Sequence, residues 1–328
     1  MFNNKNIIIT GGTGFFGKEL TKYLLKKYPK INKLIIYSRD ELKQYEIKKN
    51  LDVNKYPCLR FFLGDIRDKQ RLSRSLQDVD YVFHAAALKQ VDTAEYNPFE
   101  FIKTNIIGAN NLIEACLDSP VKKVLALSTD KASSPINLYG ATKLCADKLF
   151  TSANNIIGKK KLSFSTLRYG NVLHSRGSIL PLLIERLKSN QSFKITDKKM
   201  TRFNIELNKA IEISIESIKN MIGGEIFVPK LKSYRILDLA NALNKNNKIE
   251  IIGIRSGEKL HEEIISNIDS LNTYDLGKIF VLIDPLSEKL VKHYSKHKKM
   301  KSYFSYNSFD NKYYLTVKEL EKIVVKYK

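Results

Sequence analysis

Short apolar runs punctuate the first half of the chain: NIIIT at 6–10, KLIIYS at 33–38, LRFFL at 59–63, DYVFH at 80–84, KVLALS at 123–128 and LSFSTLR at 162–168. Their length and richness in Ile, Val, Leu and Phe suit strands covered on both faces. Between the first two lies KELTKYLLKKY, whose apolar positions recur at helical spacing, so the opening segment is a βαβ unit. Helical patterns separate the later runs as well. Strands alternating with helices predict an α/β fold built on a doubly wound parallel Rossmann sheet, with ligands at the carboxyl ends of the strands. After residue 172 the pattern loosens into HSRGSILPLLIERLKS, KITDKKMTRFNIELNKAIEISIESIKN, a strand-like EIFVPK and a helical ILDLANALNK, which predicts a smaller C-terminal α/β lobe. The expected division is a dinucleotide-binding domain over 1–172, a substrate lobe over 173–285 with some return to the core, and an extension over 286–328. In that extension SYFSYNSFDNKYY reads as a polar linker and LTVKELEKIVVKYK as a final helix, with no role assigned.

Composition narrows the classes. The chain has 328 residues, 43% hydrophobic and 27% charged, enough to bury a sizeable core. A net charge of +22 raises the question of nucleic acid. The excess is mostly Lys scattered along the chain, which reads as a solvated surface favouring acidic small substrates and not as a phosphate-tracking groove. Cys58, Cys116 and Cys145 lie far apart with no CxxC spacing, so neither a zinc site nor a disulfide framework is expected, and a reducing cytoplasm fits. His293 and His297 have the i,i+4 spacing of a metal pair, but among so many lysines they read as a solvated face. The first residues run directly into a glycine loop, and no apolar segment is long enough for a membrane span. Neither a metal, nor nucleic acid, nor a membrane is expected as a partner.

The loop Thr10-Gly11-Gly12-Thr13-Gly14-Phe15-Phe16-Gly17 follows the first strand and opens a helix, with Gly11, Gly14 and Gly17 three residues apart. Gly11 permits the tight turn, Gly14 lets backbone approach a pyrophosphate, and Gly17 allows close helix packing, while the helix N-terminus faces the anion. At the end of the second strand, where a carboxylate would take the ribose 2′-hydroxyl of NAD, stands Tyr37-Ser38-Arg39. Arg39 suits the 2′-phosphate of NADP. The alternative is that Asp40 or Glu41 contacts the ribose, or that Asp40 merely caps the next helix. Asp65 and Ile66, ending the third strand, belong beside the adenine, and Ala85-Ala86 beside the nicotinamide. His84 reads as a core histidine.

Tyr139 and Lys143 form a YxxxK pair that shares one helix face. A neighbouring ammonium and a nicotinamide charge would lower the phenol's pKa, so that it takes a proton from an alcohol during hydride transfer. The fifth strand ends shortly before, in Leu127-Ser128-Thr129-Asp130-Lys131. The stretch LSTDKASSPINLYGATK resembles the extended short-chain dehydrogenases that act on nucleotide sugars, and among them the inverting UDP-GlcNAc 4,6-dehydratases of pseudaminic acid biosynthesis. The likeness continues through GGTGFFGK, YSRDELKQ, GDIRD, HAAALKQVDTAEYNP, RYGNVLHSRGS, TDKKMTRF, GGEIFVPK and IGIRSGEKLHEE, about residues 5–285.

That resemblance implies a redox-neutral, NADP-dependent dehydration in which the cofactor is tightly bound and recycled. Tyr139 would deprotonate the C4 hydroxyl, and Lys143 would hold the ribose and tune the phenol. Lys131, desolvated enough to be partly neutral, would remove the C5 proton. Asp130, as a carboxylic acid, would protonate the departing C6 hydroxyl, with Thr129 on the C4 oxygen. Hydride returning to C6 and a proton reaching C5 from the opposite face give UDP-2-acetamido-2,6-dideoxy-β-L-arabino-hexos-4-ulose. The implied cofactor set is Gly11, Thr13, Gly14, Phe15, Phe16, Gly17, Ser38, Arg39, Asp40, Lys43, Asp65, Ile66, Ala85, Leu127, Ser128 and Val172, with Tyr139 and Lys143. Lys89, Asn171, Arg176, Gly177, Ser178, Thr196, Arg202, Arg255 and Glu258 would contact the UDP-sugar. The sequence departs from the family pattern at Gln90 for a usual His, Asn204 for a usual Trp and Ser256 for a usual Pro, which bears on affinity and on the N-acyl sugar. The resemblance also implies a homo-oligomer through helices near 98–117 and 139–157. Two other readings stay open: a retaining dehydratase or epimerase, and a non-enzymatic NADP sensor, which would tend to lose the Tyr or Lys present here.

Overall fold

The computed structural model describes residues 1–175 and 177–327. The six apolar runs form the strands β1 (Asn6–Thr10), β2 (Lys33–Ser38), β3 (Leu59–Leu63), β4 (Tyr81–His84), β5 (Lys123–Thr129) and β6 (Ser163–Tyr169). They pair in parallel in the order β3-β2-β1-β4-β5-β6, the dinucleotide-binding arrangement whose order reverses at β1. Alternation along each strand divides the core in two. Ile7, Ile9, Leu34, Ile36, Phe83 and Leu125 pack on one face against the helices Phe15–Lys27 and Leu207–Asn220. Ile8, Ile35, Val82, Val124 and Ala126 pack on the other against Lys69–Ser75, Gly108–Leu117 and Leu138–Ser152. In β1, β2, β4 and β5 both faces are therefore apolar, which is why the sequence shows nearly unbroken hydrophobic runs in those strands.

The chain after 172 contributes to this sheet as well as to a lobe above it. Ile226–Pro229 adds parallel to β6, and Ile279–Leu282, Thr273–Asp275 and Lys298–Lys299 follow antiparallel, giving ten strands. The boundary at 172 thus divides the sequence but not the core. In the lobe, helices Ile179–Lys188, Ile236–Leu243 and Val317–Val324 share a separate apolar cluster. A three-stranded sheet of Asn171–Val172, Thr201–Ile205 and Lys232–Arg235 links lobe and core.

Residues 286–328 do not stand apart. Leu290 and Tyr294 enter the main core, Leu320 and Val324 fill the lobe, and Tyr306–Asn307 pairs with Glu263–Ile265. No helix among the described residues is long and apolar enough to cross a membrane.

Candidate active site

A cleft of about 680 Å3 opens at the carboxyl ends of β1, β4, β5 and β6, between the sheet and the lobe. Its floor is the glycine loop. Gly11 has φ +68°, and a Cβ there would lie 2.7 Å from the Ala86 nitrogen. At Gly17 a Cβ would come within 2.6 Å of Gly12 Cα, so the helix can approach the loop only without a side chain. Gly14 differs: a Cβ would meet only the Gly11 oxygen, at 3.1 Å, because its outer side faces the cleft. Gly14 is also the N-cap of the Phe15–Lys27 helix and offers no capping side chain, leaving the first N–H groups directed at the cleft. This backbone cradle fits a pyrophosphate. Phe15, Phe16, Ala85, Leu127, Ser128 and Val172 also line the cleft.

The remaining cofactor candidates lie beyond that lining, at the ends of β2 and β3. Ser38 is buried and accepts a hydrogen bond from Thr13 Oγ1 at 3.0 Å. Asp40 caps the helix Glu41–Asn50, accepting from the Lys43 N–H at 2.9 Å and pairing with Lys43 Nζ. Its carboxylate is thereby engaged, whereas the exposed Arg39 has one ion pair among the described residues, with Asp65 3.5 Å from its Nη1. Ile66 packs in the core beside Gly108. His84 is enclosed, bonded to Thr10 Oγ1 at 2.7 Å, and burial followed by the Lys143 charge pushes it down to about 3.

The reacting groups converge on the wall above this floor. Asn137 caps the Leu138–Ser152 helix by accepting from the Gly140 N–H at 2.7 Å, which places Tyr139 in the first turn and Lys143 one turn on. Lys143 is buried and donates to the Leu127 carbonyl at 2.7 Å, with its pKa lowered by burial. Tyr139 is not a low-pKa phenol in the protein alone. Burial pushes it up to about 12, against the opposing Lys131 charge and a hydrogen bond with Thr129. The expected lowering by Lys143 is not seen here: that ammonium is spent on the Leu127 carbonyl, and desolvation outweighs the charge nearby.

Lys131 is likewise not the partly neutral amine the sequence suggested. Its Nζ lies 3.1 Å from Asp130 Oδ1, 2.8 Å from Glu262 Oε1 and 3.4 Å from Asn171 Oδ1. Burial lowers its pKa, but the two carboxylates outweigh burial and hold it above the ordinary lysine value. Asp130 shows the reverse balance. It has no exposed surface and its Oδ2 lacks a hydrogen-bond partner among the described residues, so burial, helped by the Glu262 charge, raises its carboxyl despite Lys131. It sits behind the wall: Thr129, whose Oγ1 donates to Asp130 Oδ1 at 3.0 Å, and Lys131 lie between it and the cleft.

Of the expected substrate contacts, Lys89, Asn171, Gly177, Ser178, Thr196, Arg202, Arg255 and Glu258 line the cleft, and Arg176 lies outside the described residues. Arg202 donates to Glu258 Oε1 at 3.2 Å, and Arg255 Nε lies 3.5 Å from Glu258 Oε2, so one carboxylate holds two guanidiniums over the opening. Ser178 Oγ is turned to the Leu173 carbonyl at 2.9 Å and Thr196 to Met200 Sδ at 3.0 Å. Among the described residues the lining carries eight Lys or Arg against three Asp or Glu, which suits a diphosphate. Glu262 and Lys259 were missed. Their signal was faint: two adjacent glutamates in KLHEE, in a segment that shows no periodicity.

A family model described as polysaccharide biosynthesis protein matches residues 7–284. The chain belongs to this family. Among its relatives, the UDP-N-acetylglucosamine 4,6-dehydratase (inverting) of Campylobacter jejuni is 52% identical, covering 99% of this chain and 98% of that protein. A UDP-glucose 4-epimerase of Rickettsia bellii is 41% identical over 85% of this chain and 83% of its own. Among solved structures, Pen from Bacillus thuringiensis superposes with a TM-score of 0.89 at 36% identity, covering 99% of each chain. The family match spans both the glycine loop and the Tyr139 wall, so the floor and the wall of the cleft belong to one ancestral unit.

Proposed function

We propose that the protein is an inverting UDP-N-acetylglucosamine 4,6-dehydratase that uses NADP. The observation carrying this reading is the convergence of Thr129, Lys131 and Tyr139 on one wall of the cleft, with Asp130 directly behind, above a floor shaped for a dinucleotide. Identity of 52% over almost the whole chain to an enzyme of that name supports it over the epimerase reading. A nicotinamide, when bound, supplies reversible hydride storage, taking the hydride from C4 and giving it back at C6.

The chain's own groups handle the protons. Tyr139 takes the C4 hydroxyl proton; burial raises its phenol in the chain alone, and a bound nicotinamide would supply a positive charge that opposes that rise. The resulting ketone acidifies C5–H, and Lys131, once it has given up one of its own protons, removes that proton. Asp130, whose carboxyl burial raises, is the acid for the departing C6 hydroxyl, with Thr129 Oγ1 between it and the cleft. Arg39, exposed and with Asp40 engaged as a cap, favours the 2′-phosphate of NADP. Arg202 and Arg255 hold the UDP diphosphate. Exposed apolar side chains at Phe99 and Ile107 support the reading that copies of the chain assemble through the helices near 98–117 and 139–157.

The test is incubation of the purified protein with UDP-GlcNAc and NADP+ in D2O, followed by NMR. The expected product is the 4-keto-6-deoxy sugar, deuterated at C5 and inverted there. Retained configuration at C5, or epimerisation at C4 without loss of water, would overturn the proposal.

A further inference from the structure

Lys131 is gripped by two carboxylates, and the reaction as derived gives a task to one of them. The other, Glu262, is 1% exposed, lines the cleft and has an Oε2 with no hydrogen-bond partner among the described residues. It is fixed by the backbone on both sides: its N–H donates to Ser308 Oγ at 2.9 Å, and its carbonyl accepts from the Ser308 N–H at 2.7 Å. The charged and titratable groups facing it are Lys131 and Asp130 from the turn after β5, Arg202 from Thr201–Ile205, Lys259 before it in sequence, and Tyr234 from Lys232–Arg235.

An ammonium has no lone pair, so Lys131 can take the C5 proton only after surrendering one of its own. Asp130 is the wrong recipient, because the elimination needs it already protonated for the leaving hydroxyl. Glu262 is the nearer carboxylate, 2.8 Å against 3.1 Å. Burial pushes its carboxyl up, but Lys131 and Arg202 outweigh burial and hold it below the usual carboxylate range, so Glu262 stands beside Lys131 without a proton of its own.

We infer that Glu262 is the proton acceptor behind Lys131, a positioning residue that turns the ammonium on the wall into the base at C5; the inference rests on the dehydratase reading. In the step, one Nζ–H bond breaks and an O–H bond forms on Glu262 Oε1. The freed lone pair takes the C5 proton, and the C5–H electrons pass into the enolate of the C4 ketone. Collapse of the enolate expels the C6 oxygen, which leaves as water with the proton of Asp130. Lys131 is again an ammonium, Glu262 is neutral and Asp130 is a carboxylate. As hydride returns to C6, C5 takes a solvent proton on the opposite face, balancing the C4 hydroxyl proton that Tyr139 releases to solvent, and the proton on Glu262 returns through Lys131 to Asp130, since Nζ is within hydrogen-bond reach of both.

The test is Glu262→Gln in the full chain, with UDP-GlcNAc and NADP+ in D2O. Substrate-dependent absorbance of reduced cofactor should persist, showing a folded site and intact C4 oxidation. Deuterium incorporation at C5 should fall about 100-fold, the scale of a lost general base, and the alkaline limb of the residual rate should move to lower pH, because Asp130 loses the charge that raises it. Glu262→Asp should recover part of the rate. A wild-type rate and pH profile in Glu262→Gln overturns the inference; should that variant fail to fold, an unchanged rate and profile in Glu262→Asp does so. A wild-type protein that leaves UDP-GlcNAc unchanged overturns the dehydratase reading instead.

Discussion

At the scale of single residues, burial sets the protonation of this site, and each shift has a measurable sign. His84 is held down to about 3 in the folded chain, whereas an unfolded histidine titrates near 6.5. The unfolded state therefore binds a proton over a window in which the native state does not. Stability present above pH 6.5 falls by up to about 1.4 kcal/mol per pH unit as the pH drops toward 3. Thermal melts at stepped pH should show this slope, and His84→Asn should flatten it. In the proposed mechanism Tyr139 takes the C4 proton, so in Tyr139→Phe cofactor reduction on adding substrate should slow about 10²- to 10⁴-fold while cofactor still binds. Tyr139 and Lys131 were legible from sequence because YxxxK and the strand-end TDK have local spacing. Their protonation states were not, since Lys143 is engaged by a backbone carbonyl and Lys131 by Glu262, which is 131 residues away in the chain.

At the scale of elements, what sequence exposes depends on how far apart the paired segments lie. Strands β1, β2, β4 and β5 are apolar on both faces, so their runs are nearly unbroken. By contrast Thr273–Asp275 and Ile279–Leu282 are three and four residues long and pair antiparallel with each other, and Ile279–Leu282 pairs with Ile226–Pro229, pairings of which no local pattern gives warning. The same holds for Tyr306–Asn307, whose pairing with Glu263–Ile265 brings the C-terminal extension against Glu262. Arg168 ties these segments together. It is 1% exposed, bonds Asp147 on the Leu138–Ser152 helix at 3.1 Å and Asp269 at 3.2 Å, and donates to the Ile264 carbonyl at 3.1 Å. Arg168→Ala leaves Asp147 buried without its cation and should cost about 3–5 kcal/mol in chemical denaturation. On the cofactor side, loss of the charge-assisted bonds of Arg39 in Arg39→Ala should weaken NADP+ binding about 10- to 100-fold. NAD+ binding, measured by the same titration, should change little.

At the scale of the whole molecule, the excess of 22 positive charges has to be reconciled with a small-molecule enzyme. Spread over the surface, such a charge creates a broad positive potential, and the cleft concentrates it, because Lys89, Lys194, Arg186, Arg202, Arg255 and Lys259 converge there while much of the acidic complement pairs elsewhere. A nucleotide sugar carrying two phosphate charges is drawn into that field before it touches any side chain. The attraction reaches about 10 Å at 0.1 M salt and about 3 Å at 1 M. The expected outcome is therefore a kcat/KM for the UDP-sugar that falls steeply as salt is raised from 0.05 to 0.5 M, about 10-fold or more, with kcat nearly constant. The proton transfers take place among buried groups that salt does not screen, so the two parameters must separate. Stopped-flow measurement of cofactor reduction across that salt range checks it: parallel loss of kcat would place the effect in the folded structure of the site, whereas loss confined to kcat/KM places it in the approach of the substrate.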